Sequence, residues 1–137
     1  DPLTGWIEGS KGPGIGDYIT LELDKEITCD KIEVSPGFFD KRWWKDNNRI
    51  KELEVAFDDE KHIMRFNDIM KPQSGKFKEP VKFKKITFYV KDVYRAKKSN
   101  DTAISEIVFY YKGKEIELDL SQVKGYLEKK TKAEVGE

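Results

Sequence analysis

The chain is poor in the residues that build metal and redox sites, with one cysteine, Cys29, and one histidine, His62, in 137 residues. A single cysteine cannot form a disulfide within the chain, and a structural zinc site needs several cysteine or histidine ligands, so both are excluded. We interpret Cys29 as a small buried hydrophobic residue at a strand start. His62 lies between Lys61 and Ile63 with no nucleophile linked to it by a motif, and we interpret it as a strand-surface residue.

A long apolar run and a net charge are also missing. No apolar run approaches the ~20 residues that a transmembrane helix needs, and the opening Asp1-Pro2-Leu3-Thr4 lacks the features of a signal peptide. We therefore expect no membrane insertion by this chain. The 26 basic and 26 acidic side chains cancel. This balance disfavours whole-surface attraction to a polyanion and favours a neutral ligand such as a sugar.

The balance hides an uneven distribution of charge along the chain. Residues 1–40 carry nine acidic and three basic side chains, whereas residues 71–100 carry ten basic and two acidic ones. The basic stretch fits either a nucleic-acid footprint or solvated strand faces and loops. The absence of an accompanying nucleic-acid motif favours the second interpretation. No nucleic-acid partner is therefore expected.

Aromatic residues and a period-two apolar pattern are what the chain does contain. Three Trp, six Tyr and eight Phe supply large units of burial, which argues against disorder. The alternation predicts strands at 18–23, 31–34, 50–57, 61–66, 84–93, 104–111 and 116–120, with charged turns at 24–26 and 58–60, the second closing a hairpin. Seven strands with short turns predict an all-β fold, a two-sheet antiparallel β-sandwich. Residues 121–132 predict a short C-terminal helix, capped by Ser121.

Three sequence blocks occur in an order and spacing that resemble one family. They are Trp6-Ile7-Glu8-Gly9 with the glycine-rich run to Ile19, then Asp46 to Lys51, then Asp101 to Ile107. Together they resemble the discoidin-like branch of the galactose-binding jelly rolls, related to the coagulation factor 5/8 type C domain, and in particular the NADase-type glycan-binding domain of bacterial secreted and surface proteins. The match runs from residue 1 to about residue 110. The family domain usually begins with a strand upstream of its first block, so the resemblance implies a first strand before Asp1. The hairpin and helix predicted after residue 110 exceed the family pattern. The predicted organisation is a sandwich over 1–120 and a helical tail over 121–137.

Two predicted loops are longer than tight turns, and loops on a rigid sandwich commonly carry binding sites. The loop from Pro36 to Asn48 contains four large aromatic residues among charged ones: Phe38, Phe39, Trp43 and Trp44. Some of these rings are expected to pin the loop to the core. Because adjacent residues of an extended chain face opposite ways, at least one of Trp43 and Trp44 should be exposed. An exposed Trp is a feature of binding surfaces.

Polar residues flank this aromatic platform and form the rest of the predicted ligand site. With Phe39, Trp43 and Trp44, the candidate ligand-binding residues are Asn48, Arg49, Tyr94, Arg95 and Asp101. Asn48 and Arg49 can offer amide and guanidinium donors to a sugar. They can equally close the loop, with Arg49 paired to Asp46 or Asp101. For Tyr94 and Arg95, contact with the ligand and a surface position without a ligand are equal alternatives.

The resemblance also implies one structural calcium ion. The residues that carry over to such a site are Asp1, Thr4 and Glu106, and Ca²⁺ prefers oxygen ligands of this kind. The alternative for Glu106 is a surface carboxylate without a metal. No other cofactor is expected.

The functional prediction is a non-catalytic carbohydrate-binding or adhesion module, not an enzyme. Its partner would be a glycan or a surface protein, and the resemblance implies an extracellular, periplasmic or cell-surface location in a bacterium. A protein-interaction or assembly module is the main alternative, since an open sheet edge accepts another chain. An accessory domain of an enzyme whose catalytic part lies outside this chain is the third.

Overall fold

Alternating apolar and polar side chains produce seven strands and no helix in the part of the chain that the structure describes. A computed structural model describes residues 15–16, 18–96 and 102–118, and the backbone of 123–124. This part contains no apolar helix of bilayer-spanning length. The strands are β1 (Tyr18–Ser35), β2 (Arg49–Ala56), β3 (Lys61–Arg65), β4 (Gln73–Tyr94), β5 (Glu106–Tyr111), β6 (Lys114–Ile116) and β7 (Val123–Lys124).

Two long strands, β1 and β4, organise the sheet. The strand order is β3-β2-β4-β1-β5-β6, with β7 beside β1, and every strand pair is antiparallel. The first half of β1 lies between β4 and β7, and its second half lies between β4 and β5. Because both long strands pass from one set of neighbours to another, the sheet folds into two facing layers. The predicted all-β antiparallel sandwich is confirmed.

Rings from both layers meet in the core. Phe88 of β4 lies 6.3 Å from Phe109 of β5, measured between ring centroids, and Phe83 lies 5.7 Å from the same ring. All three side chains are almost fully buried. Aromatic pairs at such distances add attraction beyond the area they bury. These core contacts therefore hold the two layers together.

The sequence predictions of local structure need four corrections. The strand predicted at 116–120 is wrong in its bounds, because β6 covers Lys114–Ile116 and residues 117–118 lie outside any strand. The turn at 24–26 is wrong, because β1 continues through it and the three exposed charged residues form a bulge between Glu22 and Ile27. Strand β4 begins at Gln73, well before the predicted start at residue 84. In the predicted helix 121–132, Val123–Lys124 is a strand paired with Glu22 and Leu23, so the helix is wrong there. The rest of that segment lies outside the described residues.

The lone cysteine and the lone histidine both take structural positions. Cys29 is buried and free, which confirms the interpretation of a small core residue, but it lies inside β1 and not at a strand start. Its burial, with a smaller effect of the neighbouring Asp30 carboxylate, raises the pKa of Cys29 to about 12. His62 lies on β3 as predicted, with its side chain 33% exposed, its Nε2 3.0 Å from Glu60 Oε2 and its ring 4.6 Å from the ring of Phe77.

Candidate functional site

Three chain segments meet at the end of the sandwich where β2 begins and β4 ends. They are the aromatic loop, defined here as residues 36–48, the loop 66–72 between β3 and β4, and the segment that follows Tyr94. Arg49, the first residue of β2, pairs with Tyr94, the last residue of β4. Asn48 forms an isolated bridge with Thr102. Of the two loops that sequence reasoning selected for ligand binding, the described ends of the second, Tyr94 to Ala96 and Thr102, therefore lie beside the end of the aromatic loop.

The aromatic loop is held in one compact conformation by its own backbone. The carbonyl of Asp40 accepts hydrogen bonds from the backbone N–H groups of Trp43 (2.9 Å) and Trp44 (2.8 Å). The carbonyl of Trp43 accepts from Asp46 N at 3.1 Å and from Asn47 Nδ2 at 3.0 Å. These bonds close consecutive turns, and so the two tryptophan side chains point in different directions.

Ser105 ties the start of the aromatic loop to the segment before β5. Its Oγ donates to the carbonyl of Gly37 at 2.6 Å and accepts from the backbone N–H of Phe39 at 2.9 Å. Its own N–H donates to the carbonyl of Ser35 at 3.0 Å. A single hydroxyl thus satisfies two backbone groups that the loop would otherwise leave unpaired.

Trp44 is the buried anchor of the loop, with 8% of its surface exposed. Its ring meets the ring of Phe39 edge-on, with centroids 5.5 Å apart, and the guanidinium carbon of Arg49 lies 5.9 Å from the Trp44 ring. Gly37 makes room for this arrangement. A Cβ on Gly37 would lie only 2.5 Å from the Trp44 ring and 2.8 Å from Arg49 Cγ.

Trp43 is the exposed member of the pair, with 47% of its surface accessible. The expectation that one of the two tryptophans would be exposed is therefore confirmed. The guanidinium carbon of Arg42 lies 6.0 Å from the Trp43 ring centroid. Asp40 fixes that guanidinium by accepting from Nε (3.3 Å) and from Nη2 (3.2 Å). The same hydrogen bonds lower the pKa of Asp40 and raise the pKa of Arg42, so both groups stay ionised.

Asn48 and Arg49 are buried and hold the loops together. Asn48 Nδ2 donates to Thr102 Oγ1 at 3.2 Å, and Asn48 Oδ1 accepts from the N–H of Ala96 at 2.7 Å. Arg49, 7% exposed, donates to Asp68 from Nε (3.0 Å) and Nη2 (2.8 Å). The loop-closing role considered for both residues is thus observed. The partner of Arg49 is Asp68, which sequence reasoning did not consider.

The remaining candidate ligand residues fall in different settings. Tyr94 donates from its hydroxyl to the carbonyl of Phe66 at 2.7 Å, and Lys51 Nζ lies 5.5 Å from its ring centroid. Arg95 is exposed beside it. Asp101 lies outside the described residues. Ligand contact by the predicted set stays a prediction.

Of the three predicted calcium ligands, only Glu106 lies among the described residues. Glu106 is exposed at the start of β5, opposite Ser35. Asp1 and Thr4 lie outside the described residues. In the described ranges, no three His, Cys, Asp or Glu side chains are grouped as metal ligands. The calcium ion stays a prediction.

Sequence reasoning missed four residues that shape this site: Gly37, Asp40, Asp68 and Ser105. Asp40 carries a local signal, because it precedes Arg42 by two residues and a short acidic side chain there can bond the next turn. Asp68 gives no such signal, since 19 residues separate it from Arg49 and only the fold brings them together.

Comparison with solved structures identifies the fold as discoidin-like. The NAD+-glycohydrolase translocation domain of Streptococcus pyogenes matches with a TM-score of 0.58 and 20% identity, over 76% of this chain and 94% of that one. The carbohydrate-binding module CBM32-1 of a family 31 glycoside hydrolase from Clostridium perfringens matches with a TM-score of 0.55 and 15% identity, over 81% and 84%. The mycobacterial arabinofuranosyltransferase AftD matches with a TM-score of 0.63 and 18% identity, over 90% of this chain and 9% of that one.

At these identities the structural matches show the fold alone, and no curated protein matches the chain. The family is shown by the sequence itself, because the family model for the NAD glycohydrolase translocation F5/8 type C domain matches residues 1–110. This match agrees with the three-block resemblance and with the sandwich of antiparallel strands. The chain belongs to the family of NAD glycohydrolase translocation F5/8 type C domains.

Proposed function

We propose that this domain is a non-catalytic glycan-binding module whose ligand binds at the aromatic loop. One observation carries the proposal: the indole of Trp43 is 47% exposed, while the neighbouring Trp44 is buried. A solvent-facing indole offers a flat apolar surface to the C–H face of a sugar ring, and exposed Trp residues are enriched at binding surfaces.

The loop also meets the physical requirement for affinity, which is a low cost of ordering on binding. Trp43 is carried on backbone turns closed by Asp40 and Asn47, and the loop is anchored through Trp44 and Arg49. A platform fixed before the ligand arrives loses little conformational entropy in the complex. The CBM32-like fold supports this function.

The role within the whole protein is proposed from the family. The family description names a translocation domain rather than a catalytic one. We place the domain in a bacterial secreted or surface protein, and any catalytic part of that protein would lie outside this chain. The calcium ion proposed near Glu106 would support the fold rather than contact the ligand.

A glycan array with two matched variants tests the proposal. Trp43→Ala removes the indole platform, and Ile63→Ala removes a similarly exposed apolar side chain on β3, 42% accessible. We expect Trp43→Ala to weaken glycan binding about tenfold or more, as hot-spot residues do, and Ile63→Ala to leave it unchanged. Circular dichroism and thermal unfolding of each variant show that the fold is retained. Absence of binding to any glycan by the folded wild-type domain would sink the proposal.

Recognition of a protein during translocation is the second candidate, because the family is described by that process. Strand β3 (Lys61–Arg65) has a strand neighbour, β2, on one side only among the described residues, and such an edge can pair with another chain. The same two variants separate the candidates. Loss of partner capture on Ile63→Ala, with Trp43→Ala unaffected, would favour the edge strand and the protein partner.

A further inference from the structure

The charge around Trp43 differs from the charge of the whole chain. Between residues 40 and 46 the aromatic loop carries three cations, Lys41, Arg42 and Lys45, and two carboxylates. Lys41 and Lys45 are exposed and form no ion pair with described residues, whereas one of the two carboxylates, Asp40, is bound to Arg42. Residues 40–46 therefore carry a net charge of +1, three cations against two carboxylates, although the chain as a whole is neutral.

Arg42 is also oriented for a ligand. A guanidinium carries five N–H donors, and Asp40 takes one from Nε and one from Nη2. The three others, two of them on Nη1, have no acceptor among the described residues. The guanidinium carbon of Arg42 lies 6.0 Å from the centroid of the exposed Trp43 indole, so donors not taken by Asp40 and an apolar ring occupy the same part of the surface.

We infer that the aromatic loop binds an acidic glycan, with the carboxylate or sulfate of the sugar on Arg42 and its ring on Trp43. This inference rests on the proposed glycan-binding function and narrows its ligand class. It replaces the expectation of a neutral ligand, which came from the charge balance of the whole chain.

The chemistry of the pair fits an acid group better than a hydroxyl. Guanidinium donors match the planar, two-oxygen geometry of a carboxylate and form charge-assisted hydrogen bonds about twice as strong as neutral ones. The hydrogen bonds from Arg42 lower the pKa of Asp40, which favours the ionised carboxylate that holds the guanidinium in place. Lys41 and Lys45 add attraction that salt will screen.

The test compares acidic polysaccharides with their uncharged counterparts. Affinity electrophoresis of the wild-type domain is run in gels that contain hyaluronan, polygalacturonate or chondroitin sulfate, and in gels that contain the carboxyl-reduced or desulfated form of each. We expect retardation by at least one acidic form and at least about tenfold weaker binding to its neutral counterpart. Raised salt should weaken the acidic binding.

Two variants that each lose one positive charge test whether Arg42 itself binds the acidic group. Arg42→Gln and Lys84→Gln each remove one positive charge, and Lys84 is exposed on β4, outside the three loops. We expect Arg42→Gln to reduce acidic binding about tenfold and Lys84→Gln to change it by less than about twofold. Equal losses in both variants would overturn the inference, because the binding would then follow net charge alone.

The outcomes also separate the inference from the proposed function. Equal binding of the acidic and neutral forms, lost in Trp43→Ala, would overturn the acidic preference and keep a glycan-binding module. Binding to phosphatidylglycerol vesicles but to no polysaccharide would overturn both and assign the loop to an anionic membrane. Binding to none of these probes, neutral glycans included, would also overturn both.

Discussion

At the scale of single residues, two adjacent tryptophans have opposite roles. The Asp40 carbonyl accepts the backbone N–H of both, which turns the chain so that Trp44 packs inward and Trp43 faces solvent. Trp44 is held by Phe39, Gly37 and the guanidinium of Arg49. The position of the exposed Trp43 indole therefore depends on the packing of Trp44 against Arg49, and Arg49 is in turn held by its ion pair with Asp68.

Removal of Asp68 tests that dependence. Asp68→Ala leaves the guanidinium of Arg49, only 7% exposed, without its charged acceptor. We expect a loss of about 1–3 kcal/mol in the free energy of unfolding, the usual cost of an unsatisfied buried donor. The measurement is urea denaturation at neutral pH.

The matched control is Asp59→Ala, since Asp59 is an exposed carboxylate in the β2–β3 turn. Its expected effect is within about 0.5 kcal/mol of the wild type. A loss in Asp68→Ala no larger than that of the control would contradict a structural role for the ion pair.

At the scale of strands, the centre of the fold is the second half of β1. Residues 31–34 pair with β4 on one side and with β5 on the other. Strand β3 pairs with β2 alone among the described strands. Apolar side chains at Ile32 and Val34 are fully buried beneath this segment, whereas Ile63 on β3 is exposed. Residues 31–34 of β1 should therefore resist local unfolding better than the edge strand β3.

Amide hydrogen exchange measures this difference directly. We expect the amides of residues 31–34 to exchange only by global unfolding and those of Lys61–Arg65 to exchange faster on average, because local opening of an edge strand needs less free energy. Exchange at Lys61–Arg65 as slow as at residues 31–34 would contradict the topology.

The strands also show what the sequence could and could not predict. The β2–β3 hairpin follows from clear alternation around a charged turn, and the structure confirms it. The continuity of β1 was hidden by Asp24-Lys25-Glu26, which has the composition of a turn but lies in a bulge. The early start of β4 was hidden by Gly75 and Pro80. Pro80 falls where the pairing with β1 shifts register, a position that tolerates proline.

The parts of the candidate site that could be predicted are those whose residues lie close together in the sequence. The aromatic loop could be predicted from the local sequence. The exposure of one tryptophan was predicted correctly, but the extended chain on which that prediction rested is wrong, because Trp43 and Trp44 lie in turns closed by the Asp40 carbonyl. The Arg49–Asp68 ion pair and the hydrogen bonds of Ser105 to the aromatic loop could not be predicted, because the partners are 19 or more residues apart in the chain. Only the antiparallel arrangement of the strands brings these groups into contact.

At the scale of the whole molecule, the uneven charge of the sequence is distributed over neighbouring strands. The acidic first third contributes β1 and the basic stretch contributes β4, and these strands pair along most of their length. Glu22 lies opposite Lys85, although Lys31 lies opposite Lys76. The excess acidic charge of β1 thus lies beside the excess basic charge of β4, while residues 40–46 of the aromatic loop hold three cations and two carboxylates.

The buried thiol of Cys29 links the folded state of the whole domain to alkaline pH. Its pKa is raised from 9.0 to about 12 in the folded protein, so from about pH 9 upward the unfolded chain loses a proton that the folded chain keeps. The stabilisation of wild type relative to Cys29→Ala is therefore complete below pH 9 and declines as pH rises, by at most about 1.4 kcal/mol per pH unit.

Urea denaturation of both proteins at pH 7, 9 and 10.5 checks this prediction. The comparison with Cys29→Ala cancels the titration of lysines and tyrosines that the two proteins share. A difference in unfolding free energy that stays constant across the three pH values would contradict the raised pKa.

The central claim is that a ligand sugar rests on Trp43, and an NMR titration tests it most directly. The indole N–H signals of the ¹⁵N-labelled domain are followed as tetrasaccharides of hyaluronan and of galacturonic acid are added, with the Trp43 signal assigned from the Trp43→Ala variant. The account predicts a saturable shift of the Trp43 indole signal that exceeds the shift of buried Trp44. A saturable response elsewhere in the domain, with the Trp43 signal unchanged, would contradict it.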